Sequence, residues 1–280
     1  MSEAKTEVVI EPSRGALHYW ADLWRYRELF LILAWRDIAV RYKQTVFGVL
    51  WAIIPPVLTM LIMTVVFGRV AGLPSQGDTP YALMVFAGLL PWQLFSSALG
   101  SSGNSLVGSA HLISKVYFPR LIIPGAALAV SLIDFCISLA VLAGLMIWFH
   151  FLPPLQILAL PLLMLLATLA ALGPGLLLTA LNVTYRDFRF IIPFILQFGL
   201  YVSPVAFSND VVRAKLGETL YLLYALNPMV GVIEGFRWAI LGHAIFPIFE
   251  VILALVVSLL FVLLGLKVFR ATERTFADVI

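Results

Sequence analysis

Charge is almost absent from three long stretches of this chain. Residues 44–68 and 79–114 carry none, and between Arg120 and Arg186 the single charged side chain is Asp134. About 20 consecutive apolar residues are enough to cross the hydrocarbon of a bilayer as a helix, and the uncharged runs are at least that long. Composition agrees: 62% of the chain is apolar and 12% charged, against roughly 45–50% and about 25% in soluble domains. The pattern predicts an all-α integral membrane protein with six transmembrane helices, over residues 44–68, 81–102, 121–149, 154–181, 190–207 and 246–267.

Two segments fit neither span nor loop. Residues 208–245 hold six charges around an uncharged piece broken by Asn227-Pro228, too short to cross, so they are expected to form re-entrant or interfacial extracytoplasmic helices before the last span. Irregular backbone at that depth is tolerated only against protein or a water-filled cavity. Glu234 and Arg237, three apart, are expected to pair on one helix. Residues 19–43 combine tryptophans with arginines. Trp20, Trp24, Leu31, Trp35 and Ile38 share one helical face, away from Asp22, Arg25 and Arg36. That predicts an amphipathic helix lying in the membrane interface with its arginines snorkelling, its apolar side interrupted by Arg27 and its polar side by Leu29, Ile32 and Leu33.

The Lys/Arg distribution sets the expected orientation. With both termini cytoplasmic, all of the 18 Lys and Arg except Arg69, Arg213, Lys215 and Arg237 fall on the cytoplasmic side. The basic net charge of +3 is therefore read as topology, not as a nucleic-acid footprint. Residues 1–18, polar and without an apolar run, are expected to be a flexible cytoplasmic N-terminus and no cleavable signal, and residues 269–280 a cytoplasmic tail around the six-span domain of 44–268.

Chemistry-bearing motifs are missing. No GxxxxGK[ST] phosphate loop occurs, so an ATP-driven process would need a separate ATPase polypeptide. Asp134 is the only ionisable group placed mid-span, which argues against ion coupling; a polar group on a neighbouring helix is its expected partner. The four histidines are isolated, and Cys136 is the only cysteine, so no metal site is expected.

Five strings, RDIAVRYKQTVFGVLWAIIPP (36–56), LLPWQLFSSAL (89–99), KVYFPR (115–120), YRDFRF (185–190) and NPM followed by GFRWAILG (227–242), resemble permease subunits of ABC exporters. In order and spacing the chain is similar, over about residues 19–270, to the polysaccharide-export group handling O-antigen, capsule or teichoic-acid polymers. That resemblance implies a bacterial inner-membrane half-transporter that pairs with a second copy of itself and binds a nucleotide-binding ATPase subunit, which holds the ATP and Mg. No cofactor is expected in this chain, and it is expected to be no enzyme. The resemblance also implies that 19–43 is a gate helix, with Trp20, Trp24, Arg25 and Trp35 at its surface. Residues 105–119 would be a coupling loop, in which Leu106, His111, Ile113, Lys115 and Val116 meet the ATPase and Arg120 helps to set its depth.

A polysaccharide has hydroxyls on its edges and apolar ring faces on which aromatics stack without fixed hydrogen-bond demands. Phe47, Trp51, Trp92 and Phe95 are the expected channel contacts, and Tyr201, Tyr221, Tyr224, Phe236 and Trp238 an outer belt, although Trp and Tyr collect at any bilayer interface. Ser96, Ser97, Ser101, Ser102 and Asn104 give the second span a polar edge that should face a channel or another helix. Pro55-Pro56 should kink the first span near its middle. Two rival functions remain at this point: an ABC exporter of a lipid or small hydrophobic drug, and a membrane enzyme acting on polyprenyl-linked sugars. The second would need clustered acids or a metal at one membrane face.

Overall fold

The computed structural model describes residues 16–43, 48–77, 79–185 and 187–276. Residues 1–15, most of the expected N-terminal arm, lie outside the described residues, as do Phe47 and residues 277–280. The described residues form helices α1 (Ala16–Arg25), α2 (Arg27–Lys43), α3 (Leu50–Met63, continued by a π-helical stretch Thr64–Val70), α4 (Tyr81–Gly108), α5 (Ala110–Ile113), α6 (Ile122–Trp148), α7 (Leu160–Thr184), α8 (Phe188–Val202), α9 (Asn209–Ala225), α10 (Pro228–Leu241) and α11 (Ile248–Thr272).

Five of these are long and apolar enough to cross a membrane: α3 with its π extension, α4, α6, α7 with the 3₁₀ turn before it, and α11. The central mast is α4. Of its most apolar stretch, 78% is buried, against 17% for α3 and α11, and it packs against α6, α7 and α10. A helix that is apolar all round yet so well covered must sit inside a bundle, and its run of Gly, Ala and Ser lets neighbours approach. Glycines also set the tightest crossing, between α7 and α11. A Cβ on Gly265 would lie 2.4 Å from the Gly173 carbonyl oxygen, and one on Gly173 would lie 2.5 Å from the Val262 amide nitrogen, the close approach that small residues permit in lipid.

The expected fifth span departs from its predicted bounds. Instead of 190–207, α8 covers 15 residues, roughly 22 Å at 1.5 Å per residue, short of the hydrocarbon thickness of about 30 Å. It stops because Ser203 precedes Pro204 and takes an extended conformation (φ −87°, ψ 149°), as a residue before proline is pushed to do. The non-helical stretch that follows exposes carbonyls, which Arg237 collects. Its buried guanidinium donates to Val205 O and Phe207 O at 2.8 Å each, to Met84 O at 3.4 Å and to Glu234 Oε1 at 3.1 Å. Tyr81 donates its hydroxyl to Ala206 O.

Within 208–245 the chain forms α9 and α10, bent against each other by 106°. Asn227 makes the break and caps α10, its side chain accepting from Met229 N at 3.1 Å, with Pro228 at the first turn where no donor is lost. Gly242, at φ +77°, ends α10 in the left-handed conformation that favours glycine.

The 19–43 segment is two helices rather than one, interrupted at Tyr26. Its packed face is also not the expected one. Leu33 and Ala34 are buried, with Leu23, Tyr26, Leu29 and Phe30, against a cluster that includes Leu106, Ile122 and Phe269. Trp20, Trp24 and Trp35 point away, 47%, 73% and 71% exposed. A helix held between protein and lipid has two apolar sides, and periodicity alone does not say which one the protein takes. Pro55 and Pro56 fall in the second turn of α3, which remains helical through both, rather than near mid-span.

Candidate functional site

A cavity of about 560 Å³ opens between the end of α2 and helices α3, α4, α6 and α8. A second, of about 290 Å³, adjoins it through the shared residues Arg41 and Ser101 and runs along α4 toward Ser109. The local sequence explains the track. Ser97, Ser101 and Ser105 recur every four residues, so they form one stripe of α4, and Ser131 and Ser138, seven apart, answer from α6. Ser97 Oγ and Ser131 Oγ lie 3.0 Å apart. Gln93 and Gln197 add amides, and Trp51 and Trp92 add ring surface.

Asp134 is the hub of the cavity wall. Arg41 Nη2 lies 2.8 Å from its Oδ2, Tyr42 donates its hydroxyl to Oδ1, and Ser97 donates to Oδ2 at 3.4 Å. The last turn of the interfacial helix is thereby tied to two buried helices at a depth where a lone carboxylate would be costly. Sequence reasoning singled out Asp134 but missed Arg41 and Tyr42, because both belong to a helix assigned outside the spans.

The expected channel aromatics divide. Trp51 (59% exposed) and Trp92 line the cavity. Phe95 is buried beside Trp92, ring centroids 5.4 Å apart, and does not reach the wall. Phe47 lies outside the described residues. The outer belt does not assemble as one surface. Tyr201 is exposed on α8, whereas Tyr221 is buried with its hydroxyl on Glu250 Oε1 at 2.7 Å. Tyr224 stacks near Tyr221, Phe236 is buried edge-on against Phe135, and Trp238 meets Phe246. Ser102 and Asn104 leave the polar edge. Ser102 donates to Pro124 O at 3.2 Å, and Asn104 donates to Gly100 O at 2.9 Å.

The coupling-loop assignment needs correction. Leu106 and Ile113 are 0% and 6% exposed, packed in the chain's own core beside Ala34 and Val183, so they do not present an apolar contact to a partner. His111, Ser114, Lys115, Val116 and Tyr117 are the exposed side chains there. Helix α4 runs on to Gly108, leaving α5 a single turn of four residues. The loop is clasped from behind. Glu273 Oε1 accepts from the Arg120 backbone N–H at 2.9 Å and the Tyr19 hydroxyl at 3.3 Å, and the Arg120 guanidinium donates to Glu273 O. Burial pushes the Glu273 carboxyl above the usual carboxylate range, against the lowering effect of those hydrogen bonds. The described part of the tail is packed, with Phe276 fully buried against Phe269. Arg25 is exposed on α1.

No group of three or more His, Cys, Asp or Glu comes together among the described residues.

The sequence profile of a family described as "ABC-2 type transporter" matches residues 28–241. The chain is 28% identical over 258 residues to the O-antigen export system permease protein RfbA of Myxococcus xanthus, covering 92% of this chain and 97% of that protein. To a Klebsiella pneumoniae protein of the same name it is 24% identical, covering 90% and 95%. To the polysialic acid transport protein KpsM of Escherichia coli it is 25% identical, covering 85% and 91%.

Proposed function

The chain belongs to the ABC-2 type transporter family, and from that membership we propose that it is the membrane subunit of an ATP-driven exporter that moves a lipid-linked polysaccharide, such as O-antigen, across the bacterial inner membrane. The observation that carries this reading is the polar track of serines, glutamines and tryptophans in a bundle otherwise made of hydrocarbon side chains. Hydroxyls and amides meet sugar hydroxyls, and Trp51 and Trp92 offer ring faces for sugar faces. Many weak contacts of this kind hold a polymer without trapping it. The names of the relatives, permeases and transporters of two glycans, support the same cargo class.

Two partners complete the reading. A second copy closes the cavity on its open side. A nucleotide-binding subunit docks at the basic cytoplasmic end, where His111, Lys115, Val116 and Tyr117 are exposed, and supplies the free energy of ATP hydrolysis with its own Mg. Movement there would pass through Arg120 and Glu273 to Tyr19 on α1, and through α2 to Arg41 at the cavity mouth.

The test is reconstitution in proteoliposomes with the nucleotide-binding subunit that pairs with it. Lipid-linked polysaccharide should stimulate ATP turnover and become protected inside the vesicles. Stimulation by small hydrophobic compounds alone would replace this cargo with a lipid or drug.

A further inference from the structure

We infer that the conduit is matched to an electrically neutral, hydroxyl-rich glycan and selects against polyanionic ones; the inference rests on the reading of the cavity as the cargo path. Among the described residues, the walls of the two cavities hold two guanidinium groups and two carboxylates, and they are paired one to one. Arg36 Nη2 lies 2.7 Å from Asp37 Oδ1, and Arg41 Nη2 lies 2.8 Å from Asp134 Oδ2. The remaining polar wall is hydroxyl and amide.

The consequence follows from the cost of charge inside hydrocarbon. An anionic sugar entering such a space gives up hydration and finds cations already committed to carboxylates, while the Asp134 charge repels it. Each further acidic residue of a polyanion meets the same penalty. A neutral sugar meets none. Its hydroxyls both donate and accept, and so do the rotating serine hydroxyls and the amides of Gln93 and Gln197, so every register of the chain finds partners. Asp134 accepts a sugar hydroxyl as readily as it accepts Ser97. The relatives do not decide this point, since one is named for polysialic acid, which bears a carboxylate on every residue.

The experiment reads the charge of the path without needing the ATPase or the natural cargo. In the full chain with Cys136→Ser, a reporter is placed by Ser101→Cys, at the half-buried position common to both cavities. Its labelling is timed with a cationic and an anionic thiosulfonate of similar size. The two rates should agree within about threefold. Asp134→Asn should then favour the anionic reagent by about tenfold, and Gln93→Glu, a near-isosteric change that keeps the Asp134 network, should favour the cationic one. Malto-oligosaccharide should slow labelling, whereas oligosialic acid at equal concentration should not. A strong anionic preference in the reporter background, equal protection by oligosialic acid, or no protection by either glycan overturns the inference. Those results stand apart from the proteoliposome assay, in which loss of polysaccharide-stimulated ATP turnover would remove the proposed function instead.

Discussion

Removing the Asp134 carboxylate would leave the Arg41 guanidinium beside a cavity whose other polar groups are neutral hydroxyls and amides. Removing Arg41 would strand the acid. Charge-assisted hydrogen bonds are worth about 1.5–3 kcal/mol. The Arg41 side chain is 45% exposed, so water softens its loss, and Asp134→Ala should destabilise more than Arg41→Ala. In SDS unfolding titrations each single variant should lose about 1–3 kcal/mol. The double variant should lose less than the sum, with a coupling of about 1 kcal/mol; strict additivity would mean that the pair does not hold the helices together. Asp134 was legible because a single acid in an uncharged run demands a partner. Arg41 was not, because its partner is defined by tertiary placement alone. Leu106 and Ile113 show the converse. An apolar side chain in a short polar loop reads equally well as a contact to another subunit or to the chain's own core, and the core took them.

At the level of elements, two irregular pieces of backbone depend on side chains far away in sequence. The stretch after α8 is held by Arg237 through two of its carbonyls, Val205 O and Phe207 O, while the same guanidinium reaches Met84 O on α4. Arg237→Met should cost about 3 kcal/mol or more, since each buried acceptor left unpaired costs about 1–3 kcal/mol. Arg237→Lys should recover only part of that, because an ammonium lacks the planar fork. Hydrogen exchange localised to residues 203–208 would register both changes. Sequence patterning predicted the local Glu234–Arg237 pair, since three-residue spacing is visible in the letters, but gave no sign of the carbonyls. The tail is the second case. Burial raises the Glu273 carboxyl, so its folded form binds a proton more readily than its unfolded form, and the contribution to stability is lost as pH rises through the folded value. After correction for intrinsic rates, amide exchange of residues 273–276 should slow from about pH 8 to about pH 5. The neutral Glu273→Gln should flatten that dependence. Long spans, which rest on hydropathy alone, were legible to within a few residues in α6 and α7. The ends of α8 and the break at Tyr26 were not, because proline sterics and packing override the apolar pattern there.

For the whole molecule, the decisive contrast is between two faces that are equally uncovered. The outward face of α11 includes Phe249, Ile252, Leu255, Val256, Leu259, Leu260 and Leu263, hydrocarbon side chains suited to lipid tails. The opposite side presents Trp51, Phe194, Phe198 and Tyr201 around a cavity whose wall includes Gln93, Gln197 and the Asp134 network. Lipid tails cannot satisfy such groups, and backbone or polar surface opening onto hydrocarbon is not sustained. A second copy presenting the same face would close two such cavities around one shared path. In the Cys136→Ser background, cysteine at Leu58 on α3, 52% exposed beside the cavity-lining Pro55 and Pro56, should cross-link copy to copy in membranes on mild oxidation. Cysteine at Leu259 on α11, 44% exposed, should not, although both positions are open to the same oxidant in the same bilayer. Cross-linking from Leu259 with none from Leu58 would put the paired face on the wrong side of the bundle and leave the polar cavity without the closure that its chemistry requires.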